Sequence, residues 1–354
     1  METAQRTDTP SGGAAEAPRR NLAVGHFLNE PFVPVCTPHV GRIREVFFAW
    51  PGVLSCRPAP DYTDELRERL FSDLAWCRAN GILLDTLFNC NCYGDQAISP
   101  ELADFVERTL SDMALRDLFP DIVTTTSPFV ATVLRRRFPQ VNIRWSVNLR
   151  VHGTTGFECV EELFDSFYVT RERQRDPAYM ETVARWAAEH GKEVGMQANS
   201  GCLRQCPFQT FHDNLHGHGD GRRPQDVATA KEYDFTFFRC RTAYARRQWE
   251  DFIRATWIRP EDVPAFEPFV SVVKLATRRH RFPAKVLAAY AGYSYDGNLL
   301  DLMDPVHSDL FAPFSVDNKS FPADFASTVG ACPYANDCRH CGRCADVLAK
   351  VLKS

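Results

Sequence analysis

The chain has 354 residues, 44% of them hydrophobic, and a formal net charge of −4 at pH 7. That length suits one barrel-sized domain or two modest ones, and the charge provides no global field to gather nucleic acid or an anionic membrane. No run approaches the roughly twenty apolar residues of a membrane span, and the N-terminus lacks the basic-then-apolar order of a secretory signal, so a cytoplasmic protein is expected.

Residues 1–20 combine Ala, Gly, Pro, Thr and charge with a single Met and no larger apolar side chain. Burial cannot offset their ordering entropy, and they read as a disordered tail. Beyond them, short apolar runs alternate with amphipathic stretches. The runs Phe32–Val35, Val46–Phe48, Leu83–Phe88, Ile122–Thr125, Ile143–Val147, Ser166–Val169, Val194–Gln197 and Val270–Leu275 predict eight strands. Helical spacing falls between them. Asp64–Ala79 aligns Leu66, Leu70, Leu74 and Cys77, Pro100–Leu115 follows Ser99 as an N-cap, and Pro177–His190 stops at Gly191. Strands alternating with helices pair in parallel, and eight such units predict an α/β fold, a TIM-like (β/α)8 barrel, over residues 21–300. A doubly wound open sheet is the alternative, weakened because no glycine-rich dinucleotide-type turn follows an early strand. Residues 201–241, rich in His, Gly, Arg and Phe, interrupt the alternation as a Cys/His-rich insertion. Residues 301–354, with Pro305, Pro313, Pro322 and Pro333, read as a C-terminal wrap with a cysteine-rich end.

Thirteen cysteines are too sparse for a disulfide scaffold, and their number is odd. Reduced thiols are expected, some of them, such as Cys77, serving as small buried hydrophobes. Two groups call for chemistry. Asn199-Ser-Gly-Cys202-Leu-Arg-Gln-Cys206-Pro207-Phe208 lies just past the seventh strand, where barrel enzymes place their active sites. Its two thiols can share one metal or cluster, with Cys240 as a third donor. The second group is Cys332-x5-Cys338-x2-Cys341-x2-Cys344, four thiols within thirteen residues. That set suits zinc or an iron-sulfur cluster, either as a site of its own or as the completion of the site begun by Cys202 and Cys206. A radical S-adenosylmethionine pattern would need cysteine where Gln209 stands. Metalloprotease, serine-hydrolase and P-loop motifs are missing. In the stretch Phe211–His218, His212 and His216 would share a helical face as ligands or substrate contacts, or lie on the surface.

The Cys202 loop, Ile258-Arg-Pro-Glu-Asp262 and Val272-Val-Lys274-Leu-Ala-Thr-Arg278 together resemble the U32 family of collagenase-like peptidases. Lys274 and Arg278 match the ends of the family's Lys-Ile-Glu-Gly-Arg motif, with Ala276 and Thr277 in place of Glu-Gly. Cys56, after the second strand, echoes an early cluster cysteine of some members. The resemblance implies a TIM-like barrel, a [4Fe-4S] cluster on four cysteines and, in some branches, oxygen-independent hydroxylation of an aromatic ring or RNA base with prephenate as oxygen donor. The chain departs from the family's cysteine spacing, and Val263 stands where a fourth ligand is expected. The C-terminal cysteines or Cys56 would then supply it.

The expected activity is iron-sulfur-dependent redox chemistry, most simply hydroxylation of a small aromatic or biosynthetic substrate. Asn89, Asn148, Arg150, His152, Asn199, Lys274 and Arg278 end or follow predicted strands. Lys274 and Arg278 would hold a carboxylate-bearing oxygen donor, and His152 would move protons. A peptidase and a zinc-stabilised binding protein are the alternatives. Basic runs at 135–137 and 278–281 leave RNA open as a substrate, though such runs are commonly solvated helix ends.

Overall fold

The computed structural model describes residues 19–57, 62–217, 224–236, 238–330, 332 and 338–354. Residues 1–18 of the expected tail, His218 and Pro333 lie outside them. Arg19 and Arg20, assigned to the tail from composition, are docked on the body. Arg19 Nη1 donates to the Glu267 carbonyl at 2.7 Å and Arg20 Nε to that of Ile43 at 2.8 Å.

Eight parallel strands close into a barrel in sequence order: β1 Leu22–Gly25, β2 Ile43–Phe48, β3 Leu83–Phe88, β4 Ile122–Thr125, β5 Asn142–Trp145, β6 Ser166–Tyr168, β7 Glu193–Gln197 and β8 Val272–Leu275. Closure sets Ala23 of β1 opposite Lys274 of β8. Seven strands overlap the predicted runs; the first is corrected. Phe32–Val35 lies in a short helix, Phe32–Cys36, and β1 is the preceding Leu-Ala-Val-Gly run. Pro34 has no N–H to give to a ladder, which suits the segment poorly to a strand paired on both sides.

The helices Asp64–Ala79, Pro100–Leu115 and Pro177–Glu189 form where the periodicity puts them, with Thr63, Ser99 and Asp176 accepting backbone N–H bonds as N-caps. Gly191 ends the last of them at φ +63°. Apolar faces of these helices and the outer faces of the strands form the main core, while Ala23, Phe47, Leu87, Val147, Tyr168 and Val272 form a smaller cluster inside the barrel.

The excursion between β7 and β8 is longer than the expected 201–241. It carries helices Gln209–Gly217, Pro224–Glu232, Arg239–Ala245 and Glu250–Arg254 before β8 begins. The C-terminal wrap returns over it: helix Arg343–Val351 packs on Glu250–Arg254, and Leu352–Lys353 pairs antiparallel with Ser315–Val316. Asp304 fixes the wrap to the Cys202 loop, its carbonyl accepting from Gly201 N at 2.9 Å and its N–H donating to the Asn199 carbonyl at 2.8 Å. A Cβ on Gly201 would stand 2.8 Å from the Pro305 carbonyl, so this approach requires glycine. No helix among the described residues is long and apolar enough to cross a membrane.

Candidate active site at the barrel mouth

Successive side chains along each strand alternate between the barrel's inside and outside, so a charged residue inside an apolar run can point to the axis. Glu45, Asp85, Arg144 and Lys274 are such residues, all buried. The Arg144 guanidinium meets both Glu45 carboxylate oxygens, Nη2 to Oε2 at 3.1 Å, and Nε donates to Ser166 Oγ at 3.0 Å. Asp85 accepts from the Thr124 N–H at 3.0 Å and its hydroxyl at 2.8 Å. Burial pushes the Asp85 carboxyl up to about 7 against the pull of Arg144.

Above this network, toward the C-terminal ends of the strands, lies a cavity of about 340 Å³ with Lys274 and Phe47 on its lining. Lys274 Nζ sits 4.1 Å from the Phe47 ring centroid and 4.9 Å from that of Tyr168, with no carboxylate among the described residues within ion-pair distance. Burial lowers its pKa. Arg278 also lines the cavity, and its Nη1 donates to Ser55 Oγ at 3.1 Å rather than to an acid. Lys274 and Arg278 thus face the cavity with no carboxylate of the described residues within ion-pair distance. An anionic ligand is the complement.

Thiols form one wall. Cys56, Cys202, Cys206 and Cys240 all line this cavity. Asn89 clamps Cys56 on both sides, its Oδ1 accepting from Cys56 N at 3.2 Å and its Nδ2 donating to Sγ at 3.3 Å. Arg171 Nη1 points at Cys202 Sγ from 3.8 Å, and Arg57 is held by Asp304 at 2.9 Å. Burial pushes the Cys240 thiol up to about 12 and raises Cys206 as well. Cys206 and Cys240 therefore stay protonated near neutral pH unless a bound cation stabilises their thiolates.

A second cavity, of about 480 Å³, lies between the Cys202 loop and the wrap, and Cys332, Cys338, Cys341 and Cys344 line it. Cys206 and Arg171 border both spaces. The tail thiols are thus gathered at a cavity of their own, while Cys56 completes a set of four at the mouth. Among the described residues, no three His, Cys, Asp or Glu side chains are close enough to hold a single metal ion. An iron-sulfur cluster, with its own core atoms between the ligands, spreads thiolates further apart than one ion does, and the all-thiol donor set suits that softer group.

The remaining expected residues divide. Asn148 lines the mouth cavity. Asn199 does not: it is fully buried, its Oδ1 accepting from Ala276 N at 2.7 Å and its Nδ2 donating to the Leu302 carbonyl at 3.0 Å, so it joins β7, β8 and the wrap. His152 is exposed outside the cavity, with only its carbonyl engaged, by Arg173 at 3.2 Å. Arg150 is spent on Glu172 at 2.6 Å. His212, by contrast, lines the mouth cavity. Sequence reasoning missed Arg57, next to Cys56 in the loop after β2, and Arg171, just beyond β6 and next to Glu172.

No family model matches the chain. It is 21% identical over 329 residues to an uncharacterized protease of Methanocaldococcus jannaschii, covering 87% of this chain and 89% of that protein. A solved U32 peptidase aligns with 75% of this chain and 95% of its own at 15% identity, with a TM-score of 0.49. An α-amylase from Lactobacillus plantarum aligns over 52% of this chain and 63% of its own at 8% identity, with a TM-score of 0.32. At those scores the solved structures add nothing to the functional argument. The chain is thus similar over nearly its full length to a protease-named protein, and its Cys202 loop with Lys274 and Arg278 resembles the U32 pattern.

Proposed function

We propose that the protein is an iron-sulfur-dependent redox enzyme, of the oxygen-independent hydroxylase kind, acting on a carboxylate-bearing substrate at the barrel mouth. The observation that carries this reading is one cavity shared by four thiols and by two cations that lack carboxylate partners. Cys56, Cys202, Cys206 and Cys240 would hold a [4Fe-4S] cluster, which when bound supplies one-electron redox chemistry or a Lewis-acidic iron. Arg278 offers a planar fork to a carboxylate of the substrate or of an oxygen donor such as prephenate, and Lys274 a second point of charge deeper in the cavity. Phe47 and Tyr168 hold the Lys274 ammonium between ring faces and keep bulk water from it. Arg57 and Arg171 would balance the negative charge of ligated thiolates. His212, on the cavity wall, takes over the proton-handling role first assigned to His152.

The name of the Methanocaldococcus relative favours a second reading, peptidase. The His–carboxylate pairs His26–Asp73, at 2.9 Å, and His190–Glu161, at 2.6 Å, would be candidate bases, yet neither pair lines the mouth cavity. Anaerobic purification with iron, sulfide and zinc analysis decides between the readings. Iron and sulfide should co-purify and fall together in Cys202→Ala. Zinc without sulfide, or hydrolysis of peptides by metal-free protein, overturns the redox reading.

A further inference from the structure

We propose that the C-terminal wrap carries a second iron-sulfur cluster of its own, on Cys332, Cys338, Cys341 and Cys344. Its existence does not depend on the function proposed for the mouth; only its role as an electron relay rests on that reading. The four tail thiols line a cavity that the mouth thiols Cys56, Cys202 and Cys240 do not reach, with Cys206 bordering both spaces. With Cys56 clamped by Asn89 at the mouth, the tail thiols are not needed to complete that site.

Local geometry supplies the second argument. Cys338 and Cys341 stand at the two ends of a single helical turn, Cys338–Cys341, so their side chains share a face. Gly342 then takes φ +70°, the left-handed region, and starts the helix Arg343–Val351, whose second residue is Cys344. A Cβ at Gly342 would meet nothing within 4 Å, so glycine is required there by conformation and not by space. The reversal brings Cys344 to the same cavity as its two predecessors, and Cys332 reaches that cavity from across the intervening segment. The x2-x2 spacing of Cys338, Cys341 and Cys344 is that of the first three ligands of a bacterial-type cluster run.

Charge and size agree. Arg171, Arg175 and Arg254 line the cavity against Glu172 and Asp251, an excess of positive charge facing what would be four thiolates. The cavity, about 480 Å³, is roomy for one ion, and a single zinc ion would need a tighter ligand set than the described residues form. Because Cys206 and Arg171 border both cavities, an electron delivered to the tail by a one-electron donor protein has a short path to the mouth, with no atom transferred.

The test is iron, sulfide and zinc analysis of the full chain purified anaerobically, with electron paramagnetic resonance after dithionite reduction. The wild-type chain should hold about eight iron and about eight sulfide, with a signal broadened by two interacting clusters. Cys341→Ser/Cys344→Ser should retain about half of the iron and lose the broadening, and Cys202→Ser/Cys240→Ser should do the same with a different residual spectrum. Unchanged iron in the tail variant, or zinc without sulfide at the tail, overturns the proposal, as does a wild-type content of about four iron that the tail variant keeps. The wild-type count does not depend on the variants folding. Iron lost with the tail pair but not with the mouth pair would sink the proposed function and leave this inference standing.

Discussion

Asp85 lies inside the barrel with Thr124 on both its oxygens and Arg144 nearby, yet its carboxyl titrates near 7 because burial penalises the charged form more than these partners favour it. In the unfolded chain the same group loses its proton at about 4. Between those values the folded state binds more protons, so this residue makes stability fall as pH rises. Urea unfolding of Asp85→Asn should show a stability difference, variant minus wild type, that grows from about pH 4.5 to 7. A difference independent of pH would show that Asp85 is ionised throughout. Residue types at strand ends made Cys202, Cys206, Asn148, Lys274 and Arg278 legible, and all five line the mouth cavity. The same logic misplaced His152 and Asn199. Position after a strand does not say whether a side chain turns into the mouth, out to solvent or into the wall behind.

Period and caps located the helices closely, because Thr63 and Ser99 act through local backbone bonds that sequence spacing determines. The first strand failed for the opposite reason. A four-residue apolar run suits a strand or a helix turn equally well, and Leu22–Gly25 is a strand because β2 and β8 flank it. Elsewhere in the barrel, Asn199 fastens β7 to β8 through Ala276 N and to the wrap through the Leu302 carbonyl. Asn199→Ala leaves a buried N–H and a buried carbonyl without their side-chain partner and should cost about 1–3 kcal/mol per orphaned group in urea unfolding. If the variant also loses iron from the mouth while its overall fold persists, Asn199 positions the Cys202 loop.

Around the barrel axis, charged side chains share the interior with a small apolar cluster. Arg144 and Glu45 are both almost fully buried and meet at two points, so removing one partner strands the other in a low-dielectric interior. Arg144→Met should therefore destabilise the fold by about 3–5 kcal/mol, and adding Glu45→Leu should restore much of that loss. A double variant no better than the single one would mean that the pair also holds the barrel's shape. Seven of the eight strands and two separate thiol-rich segments were determined by the sequence alone, since each depends on local period, spacing or composition. Tertiary structure decided which thiols share a cavity, that Cys56 belongs with Cys202, Cys206 and Cys240, and that Lys274 and Arg278 face the mouth without acid partners. Those are contacts between strands and loops far apart in the chain, set by barrel closure and by the path of the wrap, and no local pattern encodes them.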